Sequence, residues 1–328
     1  MKYKILAVDD EENNLQLLNR TLRRNYTVVT ADNGIAALEI LKKDPEFDMI
    51  ISDHKMPQMS GVELLKEVND HFPGIIRILI TAYSEVPILI DAINSGKIYR
   101  YIKKPWMPEE VLLTVEKAFE ANKLTYENQK LIKDFKDLFS GTITAITEAL
   151  DAKDKYTSGR SKRVCVYSIE IAKEMGLSDI ELSKIEVAGL LHDIGMIGVC
   201  EDILNKTEAL TPEEYEVIKK HVDFGVNILG NIKQLDSVVK IIKAHHERYD
   251  GTGYPDKLTG EQIPIGARII ALADSFDSMT STRAYRSDLS SEKAVEIIKE
   301  NAGKQFDYNV VQAFLKVIHK FDFSKDEY

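Results

Sequence analysis

The histidines of this chain are few, and most of them fall close together. The chain has seven histidines, and four of them lie in one stretch of its second half. Any one alone is more often structural than functional, but His245 and His246 are adjacent and face different directions, so both are useful only where a pocket wraps their helix end. Imidazole with carboxylate suits Fe, Mn, Zn or Co, and two such ions about 3.5–4 Å apart form a clamp used in phosphoester hydrolysis. The candidate ligands are His192, Asp193, His221, His245, His246 and Asp274.

A second group of chemically able side chains lies in the first third of the chain. Asp9 and Asp10 follow one apolar run, Asp53 ends another, and Thr81 and Lys104 end two more. Carboxylates that meet in one place repel each other unless a hard cation such as Mg²⁺ sits among them. An acid after a strand can simply cap a helix, but five such positions together favour a magnesium site.

Alternating strands and helices must position this acidic group. Helical periods lie near 11–23, 34–42, 61–71 and 86–95 and continue from Trp106 onward. Five strand–helix units predict an α/β doubly wound, five-stranded parallel sheet, whose ligands bind at the carboxyl ends of the strands. The strand-like runs are Tyr3–Val8, Thr27–Ala31, Phe47–Ser52, Ile75–Thr81 and Tyr99–Ile102.

Residues 1–120 resemble the receiver domain of two-component response regulators, which has a flavodoxin-like fold. The matching segments are VDDE at Val8–Glu11, DHKMPQMSG at Asp53–Gly61, ITA at Ile80–Ala82 and KP at Lys104–Pro105. The resemblance implies that a cognate sensor histidine kinase phosphorylates Asp53, and a carboxylate beside Mg²⁺ and a lysine is able to accept a phosphoryl group. It also implies that Asp9, Asp10 and Asp53 hold Mg²⁺, that Lys104 pairs with the aspartyl phosphate, and that Thr81 and Tyr101 are switch residues.

Strand signals disappear after residue 140, and the rest of the chain predicts an all-α domain over 141–328. The segment HHERYDGTGYP at 245–255 predicts a tight loop, in which Gly251 and Gly253 allow close approach of the backbone to a ligand. Pro255 then holds Tyr254 where its ring can stack on a base. The helical periods lie near 141–153, 159–175, 178–197, 212–230, 235–247, 265–280, 291–301 and 308–320.

Residues 141–320 resemble the HD-GYP family, which are cyclic di-GMP phosphodiesterases within the HD metal-dependent phosphohydrolase superfamily. The motifs are HDIG, the spaced His221, HHE with DG and GYP, and IPIGARIIALADSFDSMTSTRAYR. The resemblance implies that His192 and Asp193 are catalytic and that the site holds one or two divalent ions, with Fe or Mn favoured. One metal set maps to Asp193, His221, His245 and His246, the other keeps His192, Asp193 and Asp274, and the implied nucleotide contacts are Tyr254, Arg283 and Arg286.

The chain departs from the HD-GYP pattern at three positions. The segment YTSGRSKRV places Arg160 where the family has a histidine ligand, and arginine cannot ligate a metal because it stays protonated and offers no lone pair. Tyr156 replaces a glutamate that binds a third metal in some members, so a trinuclear centre is not expected. Met196 replaces a lysine expected to touch the substrate phosphate. We hypothesise that Arg160 either binds that phosphate or occupies the space of the missing metal.

A heptad pattern lies between the two domains, at 121–140. Leu124, Leu131 and Leu138 are spaced by seven, and Asn128 is at a polar inner position of the seam. Such a seam favours a connecting coiled coil and a parallel homodimer. The alternative is a single amphipathic helix packed on its own domain.

Composition excludes some classes of function. The net charge of −10 argues against a DNA-binding protein. No apolar run approaches the ~20 residues that span a bilayer, and the N-terminal segment does not resemble a signal peptide, so we expect a cytoplasmic protein without membrane insertion. Three functions remain: a phosphorylation-regulated cyclic di-GMP phosphodiesterase, a catalytically weak or inactive domain that binds a cyclic dinucleotide or a protein, and a phosphodiesterase for another cyclic dinucleotide.

Overall fold

The structure is a computed structural model that describes residues 2–82, 98–153, 159–206, 208–281 and 289–321. The chain folds as two compact units, Met1–Asp134 and Phe135–Tyr328. Within the described ranges, no helix is both long enough and apolar enough to cross a membrane.

The first unit is built on a five-stranded sheet in which every neighbouring pair of strands is parallel, in the order β2-β1-β3-β4-β5. This confirms the predicted doubly wound α/β fold. Successive residues of β1 point to opposite faces: Ile5 and Ala7 pack into one core cluster, and Leu6 and Val8 into another. The strands are β1 Lys4–Val8, β2 Thr27–Ala31, β3 Met49–Asp53, β4 Ile76–Ala82 and β5 Arg100–Lys104.

Two of the first three helices of this unit begin with a side-chain cap. The three helices are α1 Glu12–Leu22, α2 Gly34–Lys43 and α3 Gly61–His71. The Asn33 side chain accepts a hydrogen bond from the backbone of Ala36 at the start of α2, and Ser60 and Glu63 form a capping box at the start of α3. The helix predicted near 86–95 lies outside the described residues.

A single long helix, α4 Pro108–Lys153, contains the helical pattern that was predicted to continue from Trp106 and joins it without a break to the helix predicted near 141–153. The predicted connecting helix at 121–140 lies within it. No proline follows Pro108 within the helix and its one glycine is Gly141, so the sequence contains little that would end it earlier.

The second unit is mostly helical, as predicted. Two predicted helices end early, at Leu191 and Ala244, and the predicted helix at 212–230 is divided at Lys220. The helices are α5 Arg160–Glu174, α6 Asp179–Leu191, α7 Glu201–Leu204, α8 Pro212–Lys219, α9 His221–Leu229, α10 Asp236–Ala244, α11 Ile265–Thr280, α12 Ser291–Glu300 and α13 Tyr308–Val317, with short 3-10 helices at Ile194–Gly198, Lys233–Leu235, Gly260–Gln262 and Ile318–Lys320.

Candidate metal centre

Three histidines of the second unit share one local arrangement at helix ends. His192 and His245 directly follow α6 and α10, and His221 lies two residues past α8. The last carbonyl groups of a helix have no partner inside it, and each ring donates its Nδ1 proton to one of them: to Gly189 O (2.8 Å), Ile218 O (2.7 Å) and Ile242 O (2.6 Å). The helix ends therefore fix the three rings.

This arrangement leaves the other ring nitrogen of each histidine free to act as a ligand. The Nε2 atoms of His192, His221 and His245 are buried and make no hydrogen bond within the described part of the chain. A histidine that binds metal usually donates its second ring nitrogen to a carbonyl or carboxylate, which fixes its tautomer and orientation. The buried, unpartnered Nε2 atoms fit that pattern.

The ligand atoms gather into two groups that share Asp193. Within each group, the candidate ligand atoms all lie within 4.8 Å of one another. Gly195 allows this approach, because a Cβ at that position would lie 1.8 Å from the carbonyl oxygen of His221. The first group is Asp193, His221, His245 and His246, and the second is His192, Asp193 and Asp274.

The first group fits a divalent transition metal. It combines imidazole with carboxylate, the donor set that suits Fe, Mn, Zn or Co. The ring centroids of His245 and His246 are 3.9 Å apart, and those of His221 and His246 are 5.1 Å apart. Burial and the charge of His221 lower the pKa of His246 to about 4, so this ring is neutral and able to ligate at pH 7.

The second group already contains a positive side chain. Arg160 Nη2 lies 2.5 Å from Asp274 Oδ1, and Arg160 Nε lies 3.7 Å from Asp193 Oδ2. Burial opposes ionisation of His192, but Asp193 and Asp274 raise the pKa of its imidazole to about 10. Burial likewise opposes ionisation of Asp274, but Arg160 and His192 hold the pKa of that carboxyl well below its usual value. These residues form an ion cluster that does not fit a second divalent metal while Arg160 is present.

Arg160 is positioned by the helix that it begins. One turn further along α5, Arg163 donates two hydrogen bonds to Asp277 on α11, through Nε (2.6 Å) and Nη2 (3.1 Å). Asp277 lies three residues after Asp274, so this pair holds the first turn of α5 against the α11 segment that carries Asp274. Tyr156, where a third metal ligand was considered, lies outside the described residues, as do Arg283 and Arg286.

A cavity of about 820 Å³ opens beside the two ligand groups. Arg160, Asp193, His221, His246 and Asp274 line it, together with Met196 and Tyr254. The lining also contains three basic side chains that the sequence did not point to. Each of them has an acidic residue nearby in the sequence, a pattern that is typical of surface ion pairs. The three basic side chains are Lys206, Lys219 and Arg248, which pair with Glu214, Glu216 and Asp250.

In the first unit, three residues of the predicted magnesium and phosphorylation site lie together. Lys104 forms ion pairs with Asp53 and with Asp9, whose Oδ2 lies 3.6 Å from Lys104 Nζ. Burial raises the pKa of Asp53, although Lys104 opposes the shift. Gly61 packs against this site, since a Cβ there would lie 2.0 Å from the carbonyl oxygen of Asp53. Asp10 and Tyr101 are exposed, and Thr81 is buried with its hydroxyl 3.3 Å from His54 Nδ1.

Comparison with known proteins shows which family combines two domains of these kinds. The response regulator receiver domain matches residues 5–116, and the HD domain matches residues 144–310. A cyclic di-GMP phosphodiesterase of Thermotoga maritima is 32% identical over 95% of this chain and 90% of that protein. The chain belongs to the HD-GYP response regulators.

Two other relatives are similar to this chain over smaller shares of its length. The cyclic di-GMP phosphodiesterase response regulator RpfG of Xanthomonas campestris pv. campestris is 34% identical over 82% of this chain and 75% of that protein. The 3'3'-cGAMP-specific phosphodiesterase 2 of Vibrio cholerae is 35% identical, but over 59% of this chain and 37% of that protein.

The GYP segment of this HD-GYP domain, Gly253–Pro255, lies against the first ligand group. The Tyr254 ring stacks on His246, with centroids 4.8 Å apart and planes inclined by 26°. The buried Glu247 carboxylate accepts hydrogen bonds from the backbone of Asp256 (2.7 Å) and Leu258 (3.1 Å). A Cβ at Gly253 would lie 2.4 Å from the backbone nitrogen of Arg248, so the turn requires glycine. Tyr254 therefore has a fixed position at the cavity wall.

Proposed function

We propose that this chain is a phosphorylation-regulated response regulator whose HD-GYP domain hydrolyses cyclic di-GMP. The observation that carries the proposal is the set of buried Nε2 atoms on His221 and His245, which converge with Asp193 and His246 beside a cavity of about 820 Å³. The relatives that match 95% and 82% of this chain are named for cyclic di-GMP, whereas the cGAMP-specific relative matches 59% of it. This difference favours cyclic di-GMP over another cyclic dinucleotide.

The first ligand group would hold the metal, with Fe or Mn as our choice. A bound divalent ion supplies Lewis acidity at a phosphoryl oxygen and lowers the pKa of water. Hydrolysis adds one water across one phosphodiester bond and leaves a linear dinucleotide. Asp193 lines the cavity, and His192 Nε2 lies 3.1 Å from Asp193 Oδ2. We assign both residues catalytic roles.

The chain's own cations would bind and orient the nucleotide. Lys219 and Arg248 line the cavity, and we infer that they contact substrate phosphates. They would supply charge that Met196 cannot. Tyr254, stacked on His246, presents an aromatic ring to a base, which is a common way to bind nucleobases. Arg283 and Arg286, from the motif resemblance, complete the proposed phosphate contacts.

The receiver would control this domain through phosphorylation of Asp53 by a sensor kinase. Asp9, Asp10 and Asp53 would hold Mg²⁺, and Lys104 would pair with the phosphoryl group, because it already forms ion pairs with Asp53 and Asp9. Thr81 and Tyr101 would be the switch residues. We take residues 1–120 as the receiver, 121–140 as the connecting helix and 141–328 as the HD-GYP domain.

A parallel homodimer through α4 is part of this proposal. Leu124, Leu131 and Leu138 are 60, 66 and 70% exposed, so the heptad seam of this helix is uncovered in the single chain. Disulfide crosslinking in a Cys200→Ser background tests it: Leu131→Cys is expected to crosslink, and Lys133→Cys, on another face of α4, is the matched control. Crosslinking that is absent at 131, or equal at both positions, would count against the seam.

An assay of the metal-loaded full chain tests the activity. Cyclic di-GMP is expected to give linear product, faster than 3'3'-cGAMP does, and an aspartyl-phosphate mimic is expected to change the rate. His245→Ala should abolish product, while His71→Ala, at an exposed histidine of the first unit, should not. Binding of cyclic di-GMP without any product would instead identify a binding module.

A further inference from the structure

Arg160 reaches the same oxygen atoms that the second ligand group offers to a cation. Asp274 Oδ1 lies 2.5 Å from Arg160 Nη2 and 3.5 Å from His192 Nε2. Asp193 Oδ2 lies 3.7 Å from Arg160 Nε and 3.1 Å from His192 Nε2. The guanidinium therefore contacts the carboxylate oxygens that a second metal would need.

The two oxygens of Asp193 serve different groups. Oδ2 faces His192 and Arg160, whereas Oδ1 lies 3.6 Å from His221 Nε2, on the side of the first group. Ligand atoms of each group lie within 4.8 Å of one another, which leaves room for one cation per group. Asp193 can thus ligate a metal through Oδ1 and still pair with Arg160 through Oδ2.

The positive charge of Arg160 is permanent and held in place. Guanidinium does not lose its proton in proteins and offers no lone pair. Its side chain is 13% exposed, and the neighbouring Arg163–Asp277 pair fixes the first turn of α5. A divalent ion placed between His192 and Asp274 would meet this fixed charge at close range, in a buried setting where solvent screens it weakly.

We propose that the centre binds one divalent metal per chain, at Asp193, His221, His245 and His246, and that the Arg160 guanidinium occupies the second cation position. The inference deepens the proposed function, because it sets the number of metals with which that site works. The inference concerns the number of bound metal ions, which can be measured without an activity assay.

Metal counting on the full chain tests the proposal. Every protein compared carries Asp10→Asn and Asp53→Asn, because the proposed Mg²⁺ site of the receiver would otherwise add to the count, and wild type here refers to position 160. Each protein is stripped with chelator, reloaded with excess Mn²⁺, separated from unbound ion and analysed for Mn²⁺ per chain. We expect one ion for the wild type, two for Arg160→His, which restores a neutral ligand, and one for Arg160→Lys, which keeps the cation. The electron paramagnetic resonance spectrum should show isolated Mn²⁺ in the wild type and a coupled pair in Arg160→His.

Two results would overturn the proposal. One is two ions, or a coupled pair, in the wild type. The other is one ion in an Arg160→His protein whose circular dichroism matches the wild type. The wild-type spectrum decides the matter even where Arg160→His does not fold. One ion without hydrolysis of cyclic di-GMP would sustain this inference while contradicting the proposed activity, so the two failures are distinguishable.

Discussion

The two units each place a basic side chain between two carboxylates, yet with different consequences. In the first unit Lys104 pairs with Asp9 and Asp53, and its side chain is 31% exposed. In the second unit Arg160 pairs with Asp193 and Asp274, and its side chain is 13% exposed. One site is at the exposed carboxyl edge of a sheet, and the other is enclosed by helix ends.

The difference indicates that a basic side chain paired with two carboxylates can either leave room for a metal ion or take its place. Lysine is a single flexible point charge, and the exposed Asp10 beside Asp9 would keep carboxylate oxygen available at the sheet edge for the proposed Mg²⁺. Arginine is a rigid planar fork that reaches both carboxylates of the buried site at once. Cation type and burial therefore matter more than the number of acidic residues.

The largest expected effect comes from the carboxylate shared by both groups of the second unit. Asp193→Asn keeps the shape but removes the charge that both the metal and Arg160 require. Loss of a partner outside the ligand shell costs roughly 10–100-fold in metal affinity or activity, so we expect at least about 100-fold here for both quantities. Metal analysis and the cyclic di-GMP assay measure this, with the exposed Asp223→Asn on α9 as control. A variant that retains metal and rate would remove Asp193 from the centre.

Removing each cation in turn tests the comparison directly. Arg160→Met leaves buried carboxylates unpaired, and breaking a buried pair costs about 3–5 kcal/mol. Lys104→Met should cost less in the first unit, because the Lys104 side chain is 31% exposed and solvent weakens its pairing. Hydrogen exchange with chelator present measures the free energy of opening in each unit separately. Equal losses in the two units would show that burial does not distinguish the sites. Added Mn²⁺ should raise the free energy of opening of the second unit more in Arg160→Met than in the wild type.

One buried group in each unit should respond to acid with the opposite sign. The pKa of His246 is lowered to about 4 by burial and His221, so the unfolded chain takes up a proton first, and this group alone costs the metal-free second unit about 3 kcal/mol as the pH falls from about 6.5 to about 4. Burial also lowers the pKa of His245, which adds to the loss. Burial raises the pKa of Asp53, so that group alone favours folding of the first unit as the pH falls. Urea unfolding across this range measures the loss.

The pH prediction has two matched variants. His246→Asn should reduce the loss in the second unit and leave the part due to His245, and the exposed His71→Asn should leave the loss unchanged. A loss of the same size in His246→Asn would assign the acid sensitivity to other groups.

The smallest effect is expected at the end of α4. Lys153 Nζ donates to Ile197 O (2.6 Å), Val199 O (2.7 Å) and Met196 O (3.3 Å), in the turn after the HDIG segment. Lys153→Met should cost about 1–2 kcal/mol, because charged hydrogen bonds are worth more than neutral ones, and partial exposure reduces them. Faster amide exchange over 196–199 would show the loosened turn, with Lys162→Met, whose pair with Glu148 is long at 3.9 Å, as control. Unchanged exchange would contradict this role.

Much of the fold and of the site could be predicted from the sequence. The periods of apolar residues predicted the sheet and most helices, and the structure gathers the two ligand groups in the combinations that the motif resemblance implied. The helix ends at Leu191 and Ala244 were predicted too late, because the apolar pattern continues past them while the histidine rings take up the terminal carbonyl groups. Long-range contacts such as those of Lys153, and the division of Asp193 between His221 and Arg160, have no local signal in the sequence.

Anomalous scattering at the manganese edge, from crystals of the Mn²⁺-loaded wild-type chain, tests the central claim most directly. The account predicts one peak in the HD-GYP domain, within reach of Asp193, His221, His245 and His246, with the Arg160 guanidinium on Asp274; a peak at Asp10 and Asp53 would belong to the proposed receiver site. A second peak between His192 and Asp274, with Arg160 displaced, would contradict it.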